Sequence, residues 1–143
     1  MHHTHYDIII VGQGISGTVL SNALMEQYQK VLVIDDGNKK AASKIASGVI
    51  NPVTGRRIVK TWQIDIVMPA AVRIYQALES KLGTSIVRQC NIVNFHASEQ
   101  MQNAFASRLA EDPTYLSTSP LANKVAAAFD APFGHGVIDP CWL

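Results

Sequence analysis

Apolar residues near the start of the chain alternate between two periods. Ile8-Ile9-Ile10-Val11 is a continuous apolar run stopped by Gly12, and Val31-Leu32-Val33-Ile34 repeats it, stopped by Asp35-Asp36-Gly37. Short, unbroken, mostly β-branched runs suit strands of a parallel sheet covered on both faces. Between them Ile15, Val19, Leu20, Ala23 and Leu24 recur at helical spacing, which predicts a helix starting at Ile15. Strand, helix and strand within about thirty residues make one βαβ unit.

The pattern then loses its period. Residues 37–60 are rich in Ala, Ser, Gly and Lys and are expected to form a long structured loop, with a short helix near 43–46. Loops of that length inside a compact domain usually carry function. Further on, Val67, Ala71, Ile74, Leu78 and Leu82 predict a helix over 66–82, capped by Asp65, with Pro69 in its first turn and Gly83 as its stop. One or two strands are expected over 86–95. A helix over 98–111 would turn Met101, Phe105 and Leu109 inward, and strands are expected at 125–129 and 136–138. No repeat, low-complexity tract or linker divides the chain, so it reads as one domain over residues 1–143.

Composition narrows the function classes. The chain has 143 residues, 48% of them hydrophobic, and a formal net charge of +1. That supports a globular core and gives no basic face for nucleic acid or anionic lipid. No apolar run approaches the ~18 residues of a membrane span, and residues 8–11 are too short for a signal-peptide core, so the cytoplasm is expected. Cys90 and Cys141 have no metal-ligand spacing and read as two buried, reduced thiols, with one disulfide as the less favoured alternative. His2, His3 and His5 read as an unanchored terminus, and His96 and His135 stand singly, so no metal site is expected. Arg56 and Arg57 read as solvated or as holding the loop ahead of binding a substrate carboxylate, and Trp62 as a packing residue ahead of a substrate wall. The apolar end at Cys141-Trp142-Leu143 suggests the amino-terminal portion of a longer protein. Its apolar surface would then be covered by self-association or by a partner segment.

The candidate chemistry sits where the first strand meets the first helix. Gly12-Gln13-Gly14-Ile15-Ser16-Gly17 fits G-x-G-x-x-G, between an apolar run and a helical stripe, and Asp35 follows 18 residues after Gly17 (35 − 17). In that context the pattern indicates dinucleotide binding. Gly12 permits a tight turn, Gly14 lets backbone approach a pyrophosphate, and Gly17 lets helix and strand lie close. The N–H groups of Ile15 and Ser16 would face the phosphates. Asp35 would accept hydrogen bonds from an adenosine ribose and repel a 2′-phosphate, which disfavours NADP. A serine-hydrolase reading of Gly14-Ile15-Ser16-Gly17 fails, because Gly17 directly follows Ser16 and the second spacer of G-x-S-x-G is missing.

Glycines and acid do not separate NAD from FAD. The long loop adds Ala42-Ser43-Lys44-Ile45-Ala46-Ser47-Gly48-Val49-Ile50-Asn51-Pro52. With the glycine turn, this A-S-x-x-x-x-G-x-x-x-P pattern resembles the D-amino-acid oxidase and glycine oxidase family of flavoenzymes. The likeness extends well over residues 6 to about 82 and loosely beyond. It implies a Rossmann-like, doubly wound parallel sheet, an α/β fold here represented by its amino-terminal FAD-binding part. It implies FAD as cofactor and oxidation of the C–N bond of an amino acid or amine. It also implies that Ser43 and Lys44 lie near the pyrophosphate and Ser47, Gly48 and Val49 nearer the flavin. Asp36 is counted with this cofactor-binding set, although relatives often carry a basic residue there, and Val49 replaces a frequent small residue. The substrate-clamping residues of relatives lie mostly beyond position 143, so no catalytic residue is named. Two other classes stay open: an NAD-linked dehydrogenase or reductase domain, and a non-catalytic module that binds a protein partner.

Overall fold

The computed structural model describes residues 4–28 and 30–142. His2 and His3 lie outside the described residues, as does Leu143. The chain is α/β and divides into two compact units, Met1–Gly48 and Val49–Leu143.

The first unit holds β1 (Ile8–Val11), α1 (Ile15–Met25), β2 (Val31–Ile34) and α2 (Ala42–Ile45). The two strands pair in parallel, from Ile8 opposite Val31 to Val11 opposite Ile34. Asp7 N–H donates to the Lys30 carbonyl at 2.9 Å, and Lys30 N–H donates to the Asp7 carboxylate at 3.2 Å, which fixes where the ladder begins. The expected βαβ unit is therefore present, with the short helix beginning one residue early. Its strands are covered on one face only. Ile10 is 7% exposed, whereas Ile9 is 59% and Val11 83% exposed. Side chains alternate along a strand, and this unit's long helix can cover one side of a two-stranded sheet but not both.

The second unit begins with a hairpin, β3 (Val53–Thr54) and β4 (Val59–Lys60), inside the stretch expected to be loop. It continues through α3 (Ile64–Leu82), β5 (Gln89–Phe95), α4 (Glu99–Glu111), a 3-10 turn at Pro113–Tyr115, β6 (Leu116–Ser117), α5 (Pro120–Ala126) and β7 (His135–Trp142). The three longer-range strands form an antiparallel sheet in the order β5-β7-β6. One core joins Val53, Ile58, Ile64, Met68, Met101, Phe105, Leu116, Ile138 and Cys141. At Gly136 a Cβ would stand 2.1 Å from the Phe105 ring, so α4 lies directly on β7 at this glycine.

Several boundaries differ from expectation, each for a local reason. The helix over 66–82 starts at Ile64, behind Gln63 in the left-handed region (φ 53°). Asp65 is therefore inside the first turn rather than the cap, and its carboxylate binds Lys60 and Tyr115 instead. Ser98 does cap α4, accepting from Met101 N–H at 3.3 Å. The strand expected over 125–129 is absent: α5 runs to Ala126 and a turn follows. Only Val125 and Phe129 favour a strand there; the three alanines between them favour helix. Trp62 is 81% exposed and packs little.

The strand expected over 136–138 extends to Trp142 through a bulge. Ile92 faces Ile138 and Cys90 faces Cys141. Thus Asn91 alone on β5 is opposed by both Asp139 and Pro140 on β7. The extra residue restores the phase, so that Ile138 and Cys141, three apart in sequence, reach the same core.

Candidate cofactor site

The end of β1 turns sharply because Gly12 adopts φ 96°, a conformation that side-chain-bearing residues avoid. Gly12 N–H donates to the Ile34 carbonyl at 2.7 Å, so the turn is tied to the end of β2. The helix then starts at once. Thr18 N–H bonding the Gly14 carbonyl at 2.9 Å is its first internal bond, which leaves the N–H groups of Ile15, Ser16 and Gly17 without helical partners. Gly17 is indispensable to this packing: a Cβ there would lie 2.0 Å from the Gly12 carbonyl oxygen.

Two side chains converge on this turn. The Asp35 carboxylate, at the end of β2, accepts from Gln13 N–H at 2.7 Å and from Gly37 N–H at 2.8 Å. These two backbone bonds, helped by the charge of Lys44, hold its carboxyl below the ordinary value of 3.8. The Ser43 hydroxyl, in the first turn of α2, accepts from Ile15 N–H at 3.0 Å. A Cβ on Gly14 would stand 3.0 Å from that same oxygen. An open cleft of about 520 Å³ lies beside the turn, lined by Val11, Gly12, Ile34, Asp35 and Asp36. That volume lies within the range of small-molecule sites.

The structure thus brings together Gly12, Gly14, Ile15, Ser16, Gly17, Asp35 and Ser43. Asp36 borders the cleft, and its carboxylate also accepts from Asn38 N–H at 3.0 Å, closing a turn. Lys44 reaches the site through its charge on Asp35. Ser47 and Gly48 close the first unit, Gly48 with φ 75°, whereas Val49 belongs to the second unit. Gln13 is the member that sequence reasoning missed. It contributes only its backbone N–H, which any residue would supply, so no side-chain signal marks it.

The donor set suits a nucleotide diphosphate. Exposed N–H groups at a helix start, a glycine cradle and one carboxylate match a pyrophosphate followed by a ribose. The family model for FAD dependent oxidoreductases, DAO, matches residues 7–142. The chain belongs to the DAO family. FAD is the cofactor of DAO proteins, and the glycine turn, Asp35 and Ser43 all fall within the matched span. No curated protein and no solved structure gives a significant match to this DAO chain. Among the described residues, no helix is long and apolar enough to cross a membrane, and no three His, Cys, Asp or Glu side chains group to hold a metal ion.

A second polar cluster lies in the other unit. Lys60 Nζ stands 2.8 Å from Asp65 Oδ2 and 3.7 Å from Asp112 Oδ2, and Tyr115 O–H donates to Asp65 Oδ1 at 2.7 Å. The hydrogen bond from Lys60, then that from Tyr115, holds the Asp65 carboxyl low, and the bond to Asp65 holds the Lys60 ammonium's pKa high. The cluster ties β4, α3 and the 3-10 turn together. Its members come from separate elements, so no sequence spacing could have announced it.

Proposed function

We propose that the chain is the amino-terminal, FAD-binding part of a flavoenzyme that oxidises the C–N bond of an amino acid or related amine. The carrying observation is the convergence of Asp35 and Ser43 on backbone N–H groups of one glycine turn, beside an open cleft. In this reading the β1–α1–β2 unit belongs to a Rossmann-like parallel sheet, and residues 1–143 serve cofactor binding while substrate is clamped elsewhere.

The residues would act by binding and orienting. Asp35 would hold the ribose hydroxyls through the lone pairs its two backbone bonds leave free, its depressed pKa keeping it an acceptor across the working range. Ser43 and the N–H groups of Ile15 and Ser16 would hold the pyrophosphate, the hydroxyl as donor to a phosphate oxygen. Gly14 and Gly17 keep the backbone close enough for both contacts. Ser47, Gly48 and Val49 would pass beside the isoalloxazine, where glycine permits a close approach to a flat ring. FAD, when bound, supplies the acceptor for a hydride leaving the substrate α-carbon.

The test titrates FAD into the full chain and into two variants. Asp35→Ala should weaken binding roughly ten- to hundred-fold, the scale of a lost hydrogen-bond pair to a charged group. Gly14→Val should weaken it further by crowding the pyrophosphate. Unchanged affinity in both variants would remove the assignment. Flavin reduction by a panel of amino acids and amines, with the chain assayed alone and together with any sequence that follows it, tests the reaction class. Reduction by nicotinamide nucleotides and by no amine would overturn that part.

A further inference from the structure

Cys90 on β5 and Cys141 on β7 face each other directly across the antiparallel ladder. Both are free thiols; Cys141 is fully buried and Cys90 partly so. Directly opposed residues project to the same face with Cβ atoms about 4.5–5.5 Å apart, and both cysteines join the same core. A disulfide needs Cβ atoms roughly 3.5–4.5 Å apart. Closure therefore asks for an approach of about 1 Å. The local ladder can supply it. The bulge at Asp139 and Pro140 adjoins the pair on one side, and β5 extends only one residue beyond Cys90 on the other.

We propose that Cys90 and Cys141 are a reversible oxidation site, closing to an intramolecular disulfide when the protein meets a peroxide. The more accessible Cys90 reacts first. Its thiolate attacks one oxygen of hydrogen peroxide, the O–O bond breaks, and the departing hydroxide takes a proton to become water. Cys90 is left as a sulfenic acid. Cys141 then loses its proton and attacks the Cys90 sulfur; the S–O bond breaks and the leaving hydroxide takes up that proton as a second water. Two thiols and one peroxide thus give one disulfide and two waters, with two electrons passing from sulfur to oxygen. Burial, with Cys90 and Asp139 nearby, pushes the Cys141 thiol up to about 11. Cys141 is consequently a poor first nucleophile, and closure is the slower step, which makes the Cys90 sulfenic acid open to trapping. The site is independent of the cofactor assignment, because both cysteines lie in the second unit.

The experiment exposes the reduced full chain to a small excess of hydrogen peroxide beside a free thiol such as N-acetylcysteine. Samples are then alkylated under denaturing conditions and weighed intact. The expected product has lost two hydrogens and both alkylation sites together. It yields one cross-linked peptide containing residues 90 and 141, and dithiothreitol restores both thiols. In Cys141→Ala, a sulfenic-acid trap should label Cys90, and prolonged exposure should carry it on to sulfinic and sulfonic acids. Independent oxidation of the two cysteines in the unaltered chain would overturn the proposal. So would a disulfide between chains, or two thiols still fully alkylated after N-acetylcysteine has been consumed. The measurement on the unaltered chain decides the question even if Cys141→Ala folds poorly.

Discussion

At the scale of single residues, Gly17 and Gly14 separate two demands that the glycine motif makes together. A methyl group at Gly17 would collide with backbone, 2.0 Å from the Gly12 carbonyl oxygen, whereas at Gly14 it would meet the Ser43 hydroxyl at 3.0 Å, a group that can rotate away. Gly17→Ala should therefore cost the first unit roughly 1–3 kcal/mol or more, as overpacking does, and FAD binding should fall with it. Gly14→Ala should cost much less stability and act mainly on affinity. Thermal unfolding of the two variants checks the ranking, and equal stability would contradict it. These glycines and Asp35 were legible in the sequence because each role depends on what the residue type permits of the backbone. Ser43 was legible only through the family likeness. Gln13 was not legible at all, since a backbone N–H leaves no trace in the choice of side chain.

At the scale of elements, α3 is fastened to the chain after it by one carboxylate. Glu79 Oε1 accepts from Ile86 N–H at 2.7 Å, Val87 N–H at 2.9 Å and the Ser85 hydroxyl at 3.2 Å. The backbone bonds to Val87 and Ile86, in that order, hold its carboxyl below the ordinary 4.5. A carboxyl whose folded pKa is depressed stabilises the fold fully above its unfolded value and loses that contribution as pH falls through the folded one. Glu79→Ala should therefore be less stable than the parent at neutral pH, and the gap should close as pH drops below 4.5. Denaturant melts at a series of pH values would show it; a gap independent of pH would refute the linkage. Helices α3 and α4 were readable because long stripes repeat several times. Strands β3 and β4 have two residues each and cannot display a period, and the end of α5 was misread because Val125 within it and Phe129 beyond it imitate strand ends.

At the scale of the whole molecule, the two units differ in how much they bury. The second has a continuous core, whereas in the first only Ile10 among the described hydrophobic side chains is buried, and Ile9, Val11 and Ile34 stand open on β1 and β2. Apolar residues collected on two adjacent strands favour association. The chain should therefore self-associate as concentration rises, and Ile9→Thr should raise the dissociation constant about ten-fold or more, given the value of burying one isoleucine. Sedimentation velocity across a concentration series checks both statements. A chain that stays monomeric throughout would refute the first, and an unaltered constant the second. The βαβ start was legible because its periods switch cleanly. The division at Gly48 was not, because no change of composition and no linker marks it.

The bulge on β7 makes the strand forgiving in one place only. Since Asp139 and Pro140 together face Asn91, shortening β7 by either would leave a plain ladder, with Ile138 still opposite Ile92 and Cys141 still opposite Cys90. A residue removed between His135 and Ile138 would also use up that spare, but the residues between the deletion and Asn91's partner would slide by one and turn their side chains to the wrong face. The sheet thus carries a single built-in allowance for a lost residue, next to its two sulfur atoms.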